Sequence, residues 1–539
     1  MRARIAGLLG VAIIAASCGA PNTTPSASST LTAPPSERPA PTPTPGASPS
    51  PGSSITPSQP AATRTTPPAP VAIGRWEATG SMALGRAAPR AVLLGDGRVL
   101  VVGNDEDGSS CVRPDSVQSE TWDPASGRWS AGPSLNAPRA DFAAVPTSGG
   151  GVLVTGGVTT GSTSGLDDHQ SYSSTYVDDP RSEPMTWSRT GLLGWARTSP
   201  LATSLLDGRV LVAGGYYLSG NPGGSVSPAS GAELATYRGL ASGAATDRVS
   251  PGDIAPPGIA PTYATAELYD PGTGSWSATG PLHYARVGAP AVTLVDGRVL
   301  AVGSAMLGQS WNYTQPKIDV RAYGTAEIYD PRTGRFSLTG DLPAMDWSPL
   351  AKWGPYPVSS FGVTVPGTLV ALADGGALLV GQVTPWSILA RDMSGSTVRT
   401  MRFDPAARRW TLIDQSIQAS VDVGGTTSTE VIVEGHSRIG TFAARLRDGR
   451  VLVAGGGDTR LDLPLENAAD LYDPVSETWT TLPPMPEPRA GAAAVPLADG
   501  SILVVGGQGG SPTCDQSGTC DCGQGTTGSS TAVRFIPVP

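Results

Sequence analysis

The residues whose spacing could do chemistry are arginines. Arg86, Arg197, Arg286, Arg438 and Arg489 each stand ten residues ahead of an Asp-Gly pair, at Asp96, Asp207, Asp296, Asp448 and Asp499, and Arg139 keeps that distance to Gly149. Asp374 begins a further Asp-Gly pair, but Thr364 occupies the corresponding position. A guanidinium is a planar fork of five donors that stays charged. Six of them around one opening would focus potential on anions or polyols, and the same fork can clamp neighbouring carbonyls and carboxylates instead. Other reactive side chains are sparse. The three histidines, His169, His283 and His436, lie far apart. No Gly-x-Ser-x-Gly elbow and no phosphate-binding glycine loop ending in Lys occurs. Gly523 to Gly528 matches Gly-x-Gly-x-x-Gly, but it lies among cysteines with no helix to follow. Asp105-Glu106-Asp107 and Asp167-Asp168-His169 could attract a cation, yet they read as solvated loop tips. No catalytic residue, metal or cofactor is therefore assigned.

Charge and composition narrow the field. Thirty-six Lys and Arg against 45 Asp and Glu give a net charge of −9, which argues against a general nucleic-acid binder. Charged residues make up 15% and apolar ones 39%, too balanced for charge-rich disorder and too polar for many membrane spans. With 539 residues, 69 of them Gly and 52 Pro, the chain is several domains or a repeat array punctuated by turns.

A repeat array is what the spacing shows. Apolar runs flank Asp96-Gly97, Asp207-Gly208, Asp296-Gly297, Asp374-Gly375, Asp448-Gly449 and Asp499-Gly500, with Gly149-Gly150 as a degenerate copy. Asp-Gly between apolar runs predicts a type I′ hairpin, with positive φ at both central residues. Four hairpins end in a glycine pair: Gly156-Gly157, Gly214-Gly215, Gly455-Gly456 and Gly506-Gly507. Two aromatics follow, seven residues apart, around an Asp-Pro turn: Trp122/Trp129, Tyr269/Trp276, Tyr329/Phe336, Phe403/Trp410 and Tyr472/Trp479, with Tyr176/Trp187 as a stretched copy. Each unit thus holds four strands, a to d from the inside out.

Four strands, glycine pairs and this aromatic spacing resemble the kelch repeat across residues 74–539. The resemblance implies an all-β fold, a seven-bladed kelch-type β-propeller, related to the galactose oxidase superfamily. The last hairpin is followed by one strand, Thr531 to Ile536, and Arg75 to Gly80 supplies an aromatic outer strand. Pairing the N- and C-terminal strands would close the ring and remove exposed edges. The long insertions, 216–263, 304–324, 341–366, 382–397 and 413–437, fall in b–c or d–a segments, which emerge on one face of an up-and-down blade. Trp311, Trp347, Trp353 and Trp386 lie in them. Flat rings with a polar edge suit sugar stacking or a protein contact, or else plug the loops into small cores. Kelch propellers that bind peptides or resemble galactose oxidase use an arginine at this spacing to touch ligand in some blades, so Arg86, Arg139, Arg197, Arg286, Arg438 and Arg489 are candidate binding residues. The copper-radical enzymes of the superfamily need a Tyr directly followed by a His; no such pair occurs here.

Residues 1–18 form an address. Arg2 and Arg4 precede a short apolar run ending Ala15-Ala16-Ser17-Cys18, which resembles the lipobox of bacterial lipoproteins and implies lipidation of Cys18. Residues 19–73 are a Pro/Ser/Thr tract too poor in apolar side chains to fold, and so a disordered linker. Cys111, Cys514, Cys520 and Cys522 then make an even number, in keeping with two disulfides in an oxidising compartment. The expectation is a monomeric binding protein outside the cytoplasm, held at a bacterial membrane through its lipid alone. Its partner would be a carbohydrate or an extracellular protein on the loop-rich face. A carbohydrate-active enzyme of mutarotase or oxidase type, without the copper site, is the alternative.

Overall fold

The computed structural model describes residues 73–103, 117–135, 139–160, 169–171, 175–178, 185–216, 263–303, 324–343, 367–383, 397–423, 426–432, 436–457, 465–508 and 528–538. Cys18, Cys111, Cys514, Cys520 and Cys522 lie outside them, as do Trp311, Trp347, Trp353 and Trp386.

The strands form seven antiparallel sheets. The third sheet shows the plan: Leu201–Ser204, Val210–Ala213, Ala266–Asp270 and Ser275–Thr279 pair in chain order. Its second strand, Val-Leu-Val-Ala, is wholly buried, and so are Val99–Val102, Val299–Val302, Val451–Ala454 and Ile502–Val505. A strand with one wet face would alternate; these do not, because each sheet is sandwiched between two others. An apolar cluster fills every junction. Leu153 and Val212 join the second and third sheets, Ala213 and Val299 the third and fourth, Val302 and Leu379 the fourth and fifth. Leu378 and Val453 join the fifth and sixth, Leu452 and Val504 the sixth and seventh, Val505 and Val99 the seventh and first, and Val102 and Val152 the first and second. This is a β-propeller.

The seventh sheet takes strands from both ends of the chain. Gly74–Thr79 pairs antiparallel with Ala532–Pro537, opposing Trp76 to Phe535. Their rings lie 5.1 Å apart, and the Trp76 indole donates to the Pro483 carbonyl at 2.8 Å. Ile73, assigned to the linker from sequence, packs on this cluster, and its carbonyl accepts from Val538.

Two local expectations need correction. The Asp-Gly hairpins are not type I′. Gly97, Gly208, Gly297, Gly375, Gly449 and Gly500 have φ between 86° and 95°, whereas the aspartates before them do not have positive φ. In the first hairpin, Gly97 N–H donates to Leu94 and Leu94 N–H to Arg98, which is a type I turn closed by a glycine bulge. The Asp96 carboxylate caps this turn by accepting from the Arg98 N–H at 2.9 Å. The second sheet, in turn, lacks the aromatic pair. Trp187 opposes Asp178 and Tyr176 opposes Arg189, whereas Tyr269 faces Trp276 directly elsewhere. The stretched turn places Tyr176 two residues off register, and Trp187 instead donates to the Pro133 carbonyl.

A chain beginning at residue 80 should melt about 5 °C or more below one beginning at residue 70, and should self-associate, because Ala532–Pro537 becomes an open edge. Scanning calorimetry with light scattering checks this; equal midpoints would detach the N-terminal strand from the fold.

Candidate functional site

The six spaced arginines sit where the first strand of each sheet is about to begin, and all are buried: Arg86, Arg139, Arg197, Arg286 and Arg489 at 0% exposure, Arg438 at 4%. Their guanidiniums turn inward. Each donates to the carbonyl seventeen residues on, just past its own sheet's second strand or, for Gly156, within it: Arg86 to Gly103, Arg139 to Gly156, Arg197 to Gly214, Arg286 to Gly303, Arg438 to Gly455 and Arg489 to Gly506, at 2.6–3.0 Å. Four also hold a buried carboxylate on the third strand. Arg86 pairs with Glu120 at 3.2 Å, Arg197 with Glu267 at 2.8 Å, Arg286 with Glu327 at 3.0 Å and Arg438 with Asp470 at 2.7 Å. Arg489, opposite a third strand that offers Val533, uses Glu487 and Thr531. The proposed ring of ligand-facing guanidiniums is thus corrected to a set of internal clamps. Burial decides it: forks spent on the protein's own oxygens offer no face to a ligand.

The carboxylates were missed in the sequence, though a signal exists. Glu120, Glu267, Glu327 and Asp470 each stand two residues before the first aromatic of the Asp-Pro turn. In the fifth sheet the register brings Met401 opposite Leu379, the place Glu267 takes opposite Val212. This is the repeat that also carries Thr364 in place of arginine. Clamp cation and clamp anion are absent together, and Met401 is fully buried in their stead.

The clamps also explain the glycine pairs. Gly157, Gly215, Gly456 and Gly507 donate their N–H to the backbone carbonyls of Arg197, Arg286, Arg489 and Arg86, each in the next sheet, at 2.7–3.0 Å. A Cβ on the preceding glycine, Gly156, Gly214, Gly455 or Gly506, would lie 2.3–2.7 Å from that same carbonyl oxygen. Two residues past the arginine, Asp141, Ser199 and Gly288 are left-handed, at φ 53°, 49° and 54°. That conformation lets Ser199 donate to Asp141 and Gly288 to Ser199, sheet to sheet, at 2.8 Å.

Two histidines join this framework. His283 Nδ1 lies 2.9 Å from Glu327, and His436 Nδ1 lies 3.0 Å from Asp470, its ring stacked on Trp479 at 4.7 Å. Burial alone would raise the pKa of Glu327, but the Arg286 charge and the His283 hydrogen bonds outweigh it and hold the carboxyl below its ordinary 4.5. Among the described residues no group of three His, Cys, Asp or Glu could hold a metal ion.

The two ends of the sheets differ in the length of their connections. Turns joining first to second strands span a few residues, as from Ser204 to Val210 or Arg445 to Val451, and those joining third to fourth are as short, Asp270 to Ser275 or Asp330 to Arg335, except in the second sheet, where eight residues separate Asp178 from Trp187. At the opposite end, 52 residues separate Ala213 from Ala266, and 29 separate Leu338 from Thr368. At the base of this end Trp195 and Tyr263 pack at 5.6 Å, both buried.

Repeat, register and ring of sheets together define a kelch-type β-propeller. A family model described as "Kelch motif" matches residues 441–486, one unit of the array. Among solved structures, the chain is similar to one described as a novel fungal alcohol oxidase with catalytic diversity among the AA5 family, in complex with copper, at 17% identity and TM-score 0.49, over 86% of this chain and 76% of that one. No curated protein matches.

Glu327→Gln should cost about 3–5 kcal/mol at neutral pH, because it strands the buried Arg286 charge. A depressed carboxyl contributes stability above its unfolded value and loses it as pH falls through the lower folded one. The difference between wild type and Glu327→Gln in urea midpoints should therefore be full at pH 7 and shrink below about pH 4.5. The pair Arg286→Met with Glu327→Met should cost less than the sum of the single changes. A pH-independent difference would remove the ion pair from the account.

Proposed function

We propose that residues 74–539 form a seven-bladed propeller, closed by its terminal strands, that works as a binding module. In this reading a lipid on Cys18 and the 19–73 linker hold it at the outside of a bacterial membrane, as a monomer. The ligand, a carbohydrate or an extracellular protein, would be taken by the loop-bearing end. One observation carries the proposal: connection length is trimmed at one end of the sheets and expanded at the other, and neutral drift has no reason to choose an end. With the arginines committed to clamps, the exposed chemistry falls to the inserted segments, whose Trp311, Trp347, Trp353 and Trp386 supply flat apolar rings suited to sugar stacking or a protein hot spot.

The soluble chain from residue 70 should retain specific glycans or an extracellular protein on an array, and Trp353→Ala or Trp386→Ala should weaken retention at least tenfold at an unchanged melting point. Arg98→Ala, on a short turn at the other end, should leave it untouched. Binding indifferent to both Trp variants would overturn the site, and turnover of a retained sugar would make the protein a carbohydrate-active enzyme instead.

A further inference from the structure

The end of the ring with the short turns holds a cavity of about 610 Å³. Its wall is the innermost strands of three consecutive sheets, through Leu369 and Ala371, Ala443, and Ala494, with Val292 from a fourth. Gly449, Leu497 and Gly500 of the hairpin turns rim it, which fixes the end at which it opens. Apolar walls of this volume are typical of small-molecule sites, where a few polar groups set orientation.

One such group is present. Arg445 closes the strand Phe442–Arg445 and lines the cavity, half-buried. At the same place, three residues before the turn aspartate, the other first strands carry Leu93, Ser204, Thr293, Ala371 and Pro496. Six other arginines at this end of the ring are occupied. Arg98, Arg209, Arg298 and Arg450 each pair with the aspartate of their own turn, Arg402 with Asp374 and Glu477, and Arg534 with Asp499. Arg447, the other arginine on the wall, donates to the Ala498 carbonyl. Arg445 makes no hydrogen bond or ion pair among the described residues. A guanidinium half-withdrawn from water against apolar walls is costly unless something anionic completes it.

We infer that this cavity binds a carboxylate with an apolar chain, its head on Arg445 and its chain along Leu369, Ala371 and Ala494. The site is separate from the loop-bearing end, so either can fail without the other. Only a carboxylate uses both the fork and the walls: a neutral chain leaves Arg445 unpaired, and a small anion leaves the walls wet.

Titration calorimetry of the full chain with octanoate, decanoate and dodecanoate, below their micelle concentrations, tests this. Saturable one-site binding is expected, tightening about three- to fourfold per methylene, with decanoate at least tenfold tighter than decanol and decyltrimethylammonium not bound. Arg445→Leu should bring decanoate down to the level of decanol without changing decanol itself. Arg445→Gln should do the same if the leucine variant fails to fold. Ala371→Phe, with an unchanged melting point, should abolish both. No saturable binding of decanoate, or decanoate binding unaffected by loss of Arg445, overturns the inference.

Discussion

A sheet in a ring must be fastened to the sheet on either side as well as to itself, and here one residue type does both. The backbone carbonyls of Arg86, Arg197, Arg286 and Arg489 each take a hydrogen bond from the preceding sheet, as Arg286 does from Gly215, while the Arg286 side chain reaches the carbonyl just past its own second strand, Gly303. The apolar junctions supply non-directional cohesion, and the arginines supply register. A cation of this kind is costly to bury alone, and in four sheets the third strand carries the answering carboxylate; beside Glu327, His283 is drawn in to share the load. The same fastening runs across the seam between the chain's two ends, where Gly507 meets Arg86.

Much of this was legible. Asp-Gly between apolar runs located the hairpins because turn chemistry is local, and the ten-residue spacing located the arginines because one repeat geometry is used again and again. Their role was not legible. Spacing alone places a guanidinium at the start of an inner strand but does not say whether its fork faces inward or outward. That depends on Glu120, Glu267, Glu327 and Asp470, which lie 32 to 70 residues away in sequence and adjoin only after two strands have paired. The turn type was misread for a similar reason. Asp-Gly serves both a two-residue loop and a three-residue loop with a glycine bulge, and the pairing of Leu94 with Arg98 selects the second. In the second sheet an aromatic spacing stretched to eleven residues stopped indicating register, and Tyr176 and Trp187 separated. The candidate tryptophans and cysteines lie in inserted segments outside the described residues, where sequence remains the guide to their roles.

The two ends of the ring come out chemically different. One carries long inserted segments above a rim whose arginines are internal. The other is trimmed to hairpins, with the arginines that follow the Asp-Gly turns paired to the turn aspartates and an apolar cavity lined by Arg445. A rigid ring allows this division because loops at either end can change without disturbing the clamps between them.

Hydrogen exchange at the glycine-pair amides tests the clamped ring most directly. Gly157, Gly215, Gly456 and Gly507 should exchange as slowly as the buried second strands they follow, with Gly507 at the chain's seam no faster than the other three. Exchange at these amides as rapid as in the exposed hairpin turns, or at Gly507 alone, would contradict the account.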